Sequence, residues 1–171
     1  KENLSFEHEP FTVSDEVKEY IKQKTLQNDS YENKWNATLE EYKKENIRLY
    51  ENLKKFNEKE YEKLAVEKLM KLKIDASLSM REQGSIILQE LKHLLPNLIG
   101  GTADVAPSTK AYLKDLGSFS QINYAGKNIH YGVREHAMAG IINGMVLHNL
   151  KAFSGGFFIF SDYMKPAMRI A

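Results

Sequence analysis

The apolar positions of this chain change their period part-way along, and the change divides the chain in two. Up to about position 76 they recur at helical spacing. Ser14 stands where a helix N-cap would, with Val17, Tyr20 and Ile21 following on one face. Tyr31, Trp35, Leu39 and Tyr42 fall at i, i+4, i+8 and i+11, a stripe along a second predicted helix that is expected to pack as core. Leu49, Leu53 and Phe56 extend that helix, and Tyr61, Leu64, Ala65, Leu69 and Leu72 define a third. No strict heptad persists, so a coiled coil is not expected.

Past a linker at Lys73–Leu78, helical patterns alternate with short apolar runs. Ser79-Met80-Arg81-Glu82 has the S-x-x-E form of a capping box, opening a helix that runs to Leu95 and stops at Pro96. Leu98-Ile99 reads as a short strand broken at Gly100-Gly101, where backbone must come close to something. Residues 102–128 form a long polar loop, of a length that is often functional in a compact domain. Ile129–Tyr131 predicts another strand, and Arg134–His148 a helix that buries Ala137, Met138, Ile141, Ile142 and Met145. Within it, Gly144 is expected to allow close helix packing. A strand near Ala152-Phe153, a break at Gly155-Gly156 and an aromatic segment leading into a last helix complete the pattern.

This alternation specifies an α/β fold: a charged helical N-terminal segment over 1–76, then a partial, mainly parallel sheet with flanking helices over 77–171. Ligands of such sheets sit beyond the carboxyl ends of the strands, where glycines and polar residues gather here.

Composition narrows the function classes. The chain has 171 residues and a formal net charge of +1, which gives no electrostatic reason to expect nucleic acid or an anionic membrane as partner. It has no cysteine, which excludes disulfides and thiol chemistry and fits a cytoplasmic setting. No apolar run approaches the roughly 20 residues of a membrane span. The opening KENLSFEHEPF lacks the apolar core of a signal peptide. It also lacks an initiator Met, and the chain stops at Ala171 inside a helical pattern, so both ends are expected to be cut. His130, His136 and His148 do not have metal-ligand spacing, and no metal site is assigned to them.

Three segments carry more specific chemistry: LIGGTADVAPS (Leu98–Ser108), NIHYGVREHAM (Asn128–Met138) and GGFFIFSDY (Gly155–Tyr163). In this order they closely resemble transketolase of the bacterial type, along the whole chain. The resemblance implies a truncated thiamine-diphosphate-binding fold: residues 1–76 match the helical end of the diphosphate-binding domain and linker, and 77–171 the first part of the pyrimidine-binding domain. It implies that Glu135 is catalytic, bonding N1′ of the cofactor's aminopyrimidine and favouring the tautomer that activates its reacting carbon. Phe157, Phe160 and Tyr163 match the aromatic pocket around that ring. Gly156 departs from the family, which is expected to have threonine there. Asp104 matches a carboxylate on the thiazolium side. Arg81 and Ser108 match the pair that grips a sugar phosphate, a task suited to a guanidinium fork and a hydroxyl.

The implied reaction moves a two-carbon ketol group from a ketose phosphate to an aldose phosphate, in a homodimer with a composite active site. The resemblance implies that thiamine diphosphate and Mg2+ are held by upstream elements that this sequence does not contain, so the chain alone is expected to be inactive. The alternatives are another ketol transferase of the superfamily, such as dihydroxyacetone synthase, and a non-catalytic helical interaction protein.

Overall fold

A computed structural model describes Glu9, residues 11–57 and residues 60–171, Glu60 by its backbone alone. Most of the opening stretch judged above not to be a signal peptide lies outside the described residues. The chain divides into two compact units, Lys1–Glu51 and Asn52–Ala171. Among the described residues, no helix is long and apolar enough to cross a membrane.

The first unit is dominated by α1 (Asp15–Glu45), a single 31-residue helix where the apolar pattern predicted two. Nothing in its sequence breaks it, since it contains neither Gly nor Pro. The Ser14 hydroxyl accepts from the Val17 N–H at 3.4 Å, Asp15 and Glu16 open the helix, and Lys43 and Lys44 close it, each sign complementing the helix dipole. The chain leaves the helix at Asn46, so Leu49, Leu53 and Phe56 fall on a separate α2 (Ile47–Asn57). The expected packing of the aromatic stripe is corrected too. No residue of α1 is buried, and Tyr31 and Trp35 are 62% and 61% exposed. Helical period fixes which residues share a face; it does not say that anything covers them.

In the second unit, α3 (Glu60–Leu69) is followed by α4 (Met80–Leu94), β1 (Leu98–Thr102), the single turn α5 (Ala106–Thr109) and β2 (Asn128–His130). Then come α6 (Glu135–Leu147), β3 (Lys151–Gly155), a 3-10 segment (Phe158–Tyr163) and α7 (Lys165–Arg169). Leu72, assigned above to the third helix, lies past the end of α3. The sheet has the order β2-β1-β3 with both pairings parallel, so all three strands end on one edge. Gly100 pairs with Asn128 on one side and Phe153 on the other. β1 does not break at Gly100-Gly101 as expected but runs through to Thr102. The glycines admit the flanking backbones: a Cβ on Gly100 would lie 2.2 Å from the Phe153 oxygen.

Two apolar clusters hold this unit. Ala65, Leu94, Leu95, Leu98 and Leu113 are joined by Phe153, bringing α3 and α4 onto β1 and β3. Ala103, Tyr131 and Met138 are joined by Ile129, Ile142 and Met164, which seats α6 by the strand ends. On α6, Met138 and Ala139 are buried, but Ala137 and Ile141 of the predicted buried side are exposed. The helix is apolar on several sides, so its pattern does not single out one face. A Cβ added at Gly144 would meet nothing within 4 Å among the described residues, so no close approach there requires the glycine; the neighbouring Asn143 amide donates to the Ala167 oxygen at 2.8 Å and ties α6 to α7.

Side chains bonded to backbone hold down the polar loop. Buried Asn128 accepts from the Leu113 N–H and donates to the Leu113 oxygen, each at 2.8 Å, and to the Gly117 oxygen at 2.9 Å. From α4, Gln89 donates to Tyr112 and accepts from Lys114, while Lys92 donates to the Lys114 oxygen. The loop is thereby fixed to α4 and to the start of β2.

Candidate functional site

The three segments singled out in the sequence all leave the same edge of the sheet, because the strands are parallel. After β1, Thr102 Oγ1 accepts from the Val105 N–H at 3.1 Å and closes a short turn. Asp104 sits within that turn at φ 63, a left-handed conformation that aspartate tolerates better than most residues. Its side chain is exposed and borders a cleft of about 850 Å³ together with Thr102, His130, Glu82 and Lys110.

After β2 the chain turns at Gly132, whose φ is 69. Arg134 closes this turn twice: its N–H donates to the Gly132 oxygen at 2.8 Å and its guanidinium to the Tyr131 oxygen at 3.0 Å. The turn delivers Glu135 as the first residue of α6, half-buried. Among the described residues no hydrogen bond or ion pair is made by its carboxylate. Four residues earlier, Tyr131 is buried with its hydroxyl unpartnered among the described residues, and burial pushes that phenol up to about 12.

After β3, Phe157, Phe160 and Tyr163 share one side, as their spacing requires in a 3-10 turn of three residues per turn. The rings of Phe157 and Phe160 stand 6.4 Å apart, and Tyr163 remains 64% exposed. Gly156 is exposed, with nothing within 4 Å of its missing Cβ.

Arg81 and Ser108 are brought together from positions far apart in sequence: Arg81 Nη1 donates to the Ser108 carbonyl oxygen at 3.4 Å. Next to them lies an ion pair that sequence reasoning missed, Lys110 Nζ to Glu82 Oε1 at 2.9 Å. Glu82 was legible only as a capping residue, and nothing in the spacing of Lys110 marks it as a partner. The hydrogen bond from Lys110, with those from Ser79, holds the Glu82 carboxyl down at about 2. Because the folded value is depressed, the contribution of this pair to stability is fully present above the ordinary value of 4.5 and is lost as pH falls through about 2. In an NMR titration, Lys110→Met is expected to move the Glu82 midpoint up toward 4.5. An unmoved midpoint would show that the lysine does not hold it down.

Asp104 borders the larger cleft and Arg81 a smaller one of about 270 Å³, while Glu135, Phe157, Phe160 and Tyr163 lie outside both. The chain therefore places these groups along one edge without gathering them into a single pocket.

Comparison with known proteins gives this arrangement a context. The family model described as the transketolase pyrimidine-binding domain matches residues 76–171. Transketolase of Aquifex aeolicus is 36% identical over 100% of this chain and 25% of its own length, and that of Bacillus subtilis 37% identical over 95% and 25%. Among solved structures, a Pichia stipitis transketolase in complex with sedoheptulose-7-phosphate superposes with a TM-score of 0.77 at 29% identity, over 95% of this chain and 25% of that one. The chain spans about a quarter of the length of these relatives.

Proposed function

Since this chain belongs to the transketolase family, we propose that it works within a longer enzyme that transfers a two-carbon ketol group from a ketose phosphate to an aldose phosphate. The observation that carries this reading is the half-buried Glu135 at the start of α6, unpartnered among the described residues, on the sheet edge that also presents Asp104 and the aromatic row. The family implies thiamine diphosphate and a metal. When bound, that cofactor supplies the carbon nucleophile that carries the ketol unit.

The residues present fit its pyrimidine end. Glu135 would hold a proton at the pyrimidine ring nitrogen N1′, and among the described residues its carboxylate has no partner to satisfy first. Phe157, Phe160 and Tyr163 offer ring faces for an aromatic heterocycle to stack on. Asp104 would balance a cationic ring, and Arg81 with the Ser108 hydroxyl would grip the sugar phosphate. The proposal assigns Mg2+ and the diphosphate to other parts of the enzyme, since a hard cation and two phosphates need oxygen ligands and backbone donors at fixed places. The exposed aromatic row is consistent with a surface completed by a second subunit, so the proposal includes a homodimer with a composite site; its cytoplasmic setting is part of the same reading.

The test is a coupled assay of the full-length protein with xylulose 5-phosphate as donor. Thiamine-diphosphate-dependent transfer to ribose 5-phosphate is expected. Transfer to formaldehyde alone would point to a dihydroxyacetone synthase, and no transfer to either acceptor would sink the proposal.

A further inference from the structure

We infer that the Glu82–Lys110 ion pair is a brace that sets the spacing of the sugar-phosphate grip, making Lys110 a positioning residue for phosphorylated ketoses and not itself an anion ligand. The inference rests on the proposed function and deepens it. The grip has two halves on different elements. Arg81 belongs to the first turn of α4, and Ser108 to α5, 27 positions on. Their direct contact is long, at 3.4 Å, and uses one guanidinium nitrogen on a carbonyl oxygen. It leaves other guanidinium N–H groups for a phosphate but fixes the separation poorly.

The residue beside each half makes a stronger link. Glu82 follows Arg81, and both of its carboxylate oxygens are engaged. Oε2 accepts from the Ser79 N–H at 3.1 Å and the Ser79 hydroxyl at 2.7 Å, while Oε1 meets Lys110 Nζ at 2.9 Å. The carboxylate is thus locked to the helix start on one side and to the lysine on the other. Lys110 caps α5 in a left-handed conformation, φ 58, with its N–H on the Ala106 oxygen at 2.9 Å, so the direction in which its side chain leaves is also set. Among the described residues, the only side-chain hydrogen bonds or ion pairs between the first turn of α4 and residues 106–110 are this pair and the long Arg81 bond.

Charge and position argue against a direct role for the ammonium. Lys110 borders both clefts, between Asp104 in one and Arg81 in the other, but its charge is already matched by Glu82. Both side chains are about 40% exposed, 41% and 38%, so the pair contributes little to global stability. Its removal should loosen the grip without unfolding the domain.

The experiment uses the full-length holoenzyme and compares a ketose phosphate with the same ketose lacking its phosphate. Lys110→Met is expected to raise KM for the phosphorylated donor about 10-fold with kcat changed by less than about 2-fold, and to cut kcat/KM for the unphosphorylated ketose far less. Lys110→Arg is expected to restore KM. Glu82→Gln is the deciding variant, because glutamine keeps the cap but releases the lysine. A brace predicts that KM rises in Glu82→Gln as in Lys110→Met. Unchanged or lower KM there would make Lys110 an anion ligand and overturn the inference, as would equal losses with both donors. Active wild type with an unaltered Lys110→Met KM defeats the brace alone, whereas wild type without ketol transfer defeats the functional reading and the brace with it.

Discussion

In the full-length protein, Glu135→Ala is expected to lower thiamine-diphosphate-dependent ketol transfer by about 10²- to 10⁴-fold, the range in which a positioned acid–base group contributes. The substitution is informative because of where the side chain stands. It is half-buried at the start of α6, and among the described residues no donor depends on it, so its loss orphans no buried N–H. Alanine is also the best helix former, which leaves little reason for the fold to suffer. The turn that presents it is closed by Arg134 bonds to Gly132 and Tyr131, and these survive the change. Activity should therefore fall while the melting curve stays near that of wild type. Glu135→Gln separates shape from proton affinity: the amide fits the same space but cannot hold the transferred proton, so most of the loss is expected to remain. Turnover unchanged in either variant, at saturating cofactor, would remove the role assigned to Glu135.

Much of the local geometry of this candidate site is legible because it is set within a few positions in sequence. The strand-to-helix turn Tyr131–Glu135 and the three-residue spacing of Phe157, Phe160 and Tyr163 each keep their geometry within a few positions. Parallel pairing then brings the turns to one edge, and the alternation of helices and short strands predicts that topology. The Arg81–Ser108 approach came from family resemblance; no periodicity links residues so far apart. Lys110 escaped notice for the same reason, since an ion pair spanning the α4–α5 gap leaves no trace in local spacing. The stripe on α1 failed differently: period says which residues share a face, but burial depends on a neighbour that the pattern does not contain. On α6 the apolar residues were too many for period to select among them, and Ile141 lies 46% exposed where burial was expected.

Gly101→Ala is expected to destabilise the chain by at least about 3 kcal/mol, at or beyond the upper end of the usual overpacking cost. The added Cβ would lie 1.7 Å from the Ile129 oxygen and 2.7 Å from its carbonyl carbon. These are backbone atoms of β2, so no flexible side chain can swing away. Retreat of β2 would have to stretch the parallel ladder that pairs Gly100, Gly101 and Thr102 with Asn128, Ile129 and His130. β1 is the central strand, and β3 holds its other side, so it cannot shift as a unit to relieve the clash. A loss of this size is a large share of the total stability of an ordinary domain. The functional consequence follows from the same geometry: β1 ends in the turn that carries Asp104, and β2 leads into the turn that carries Glu135. Gly140 supplies the contrast. It lies within α6 with nothing within 4 Å of its missing Cβ, so Gly140→Ala should hold or slightly raise stability through helix propensity. Urea unfolding of the two variants beside wild type makes the comparison. If Gly101→Ala unfolds at the wild-type midpoint, the close strand approach that explains the Gly-Gly pair is wrong.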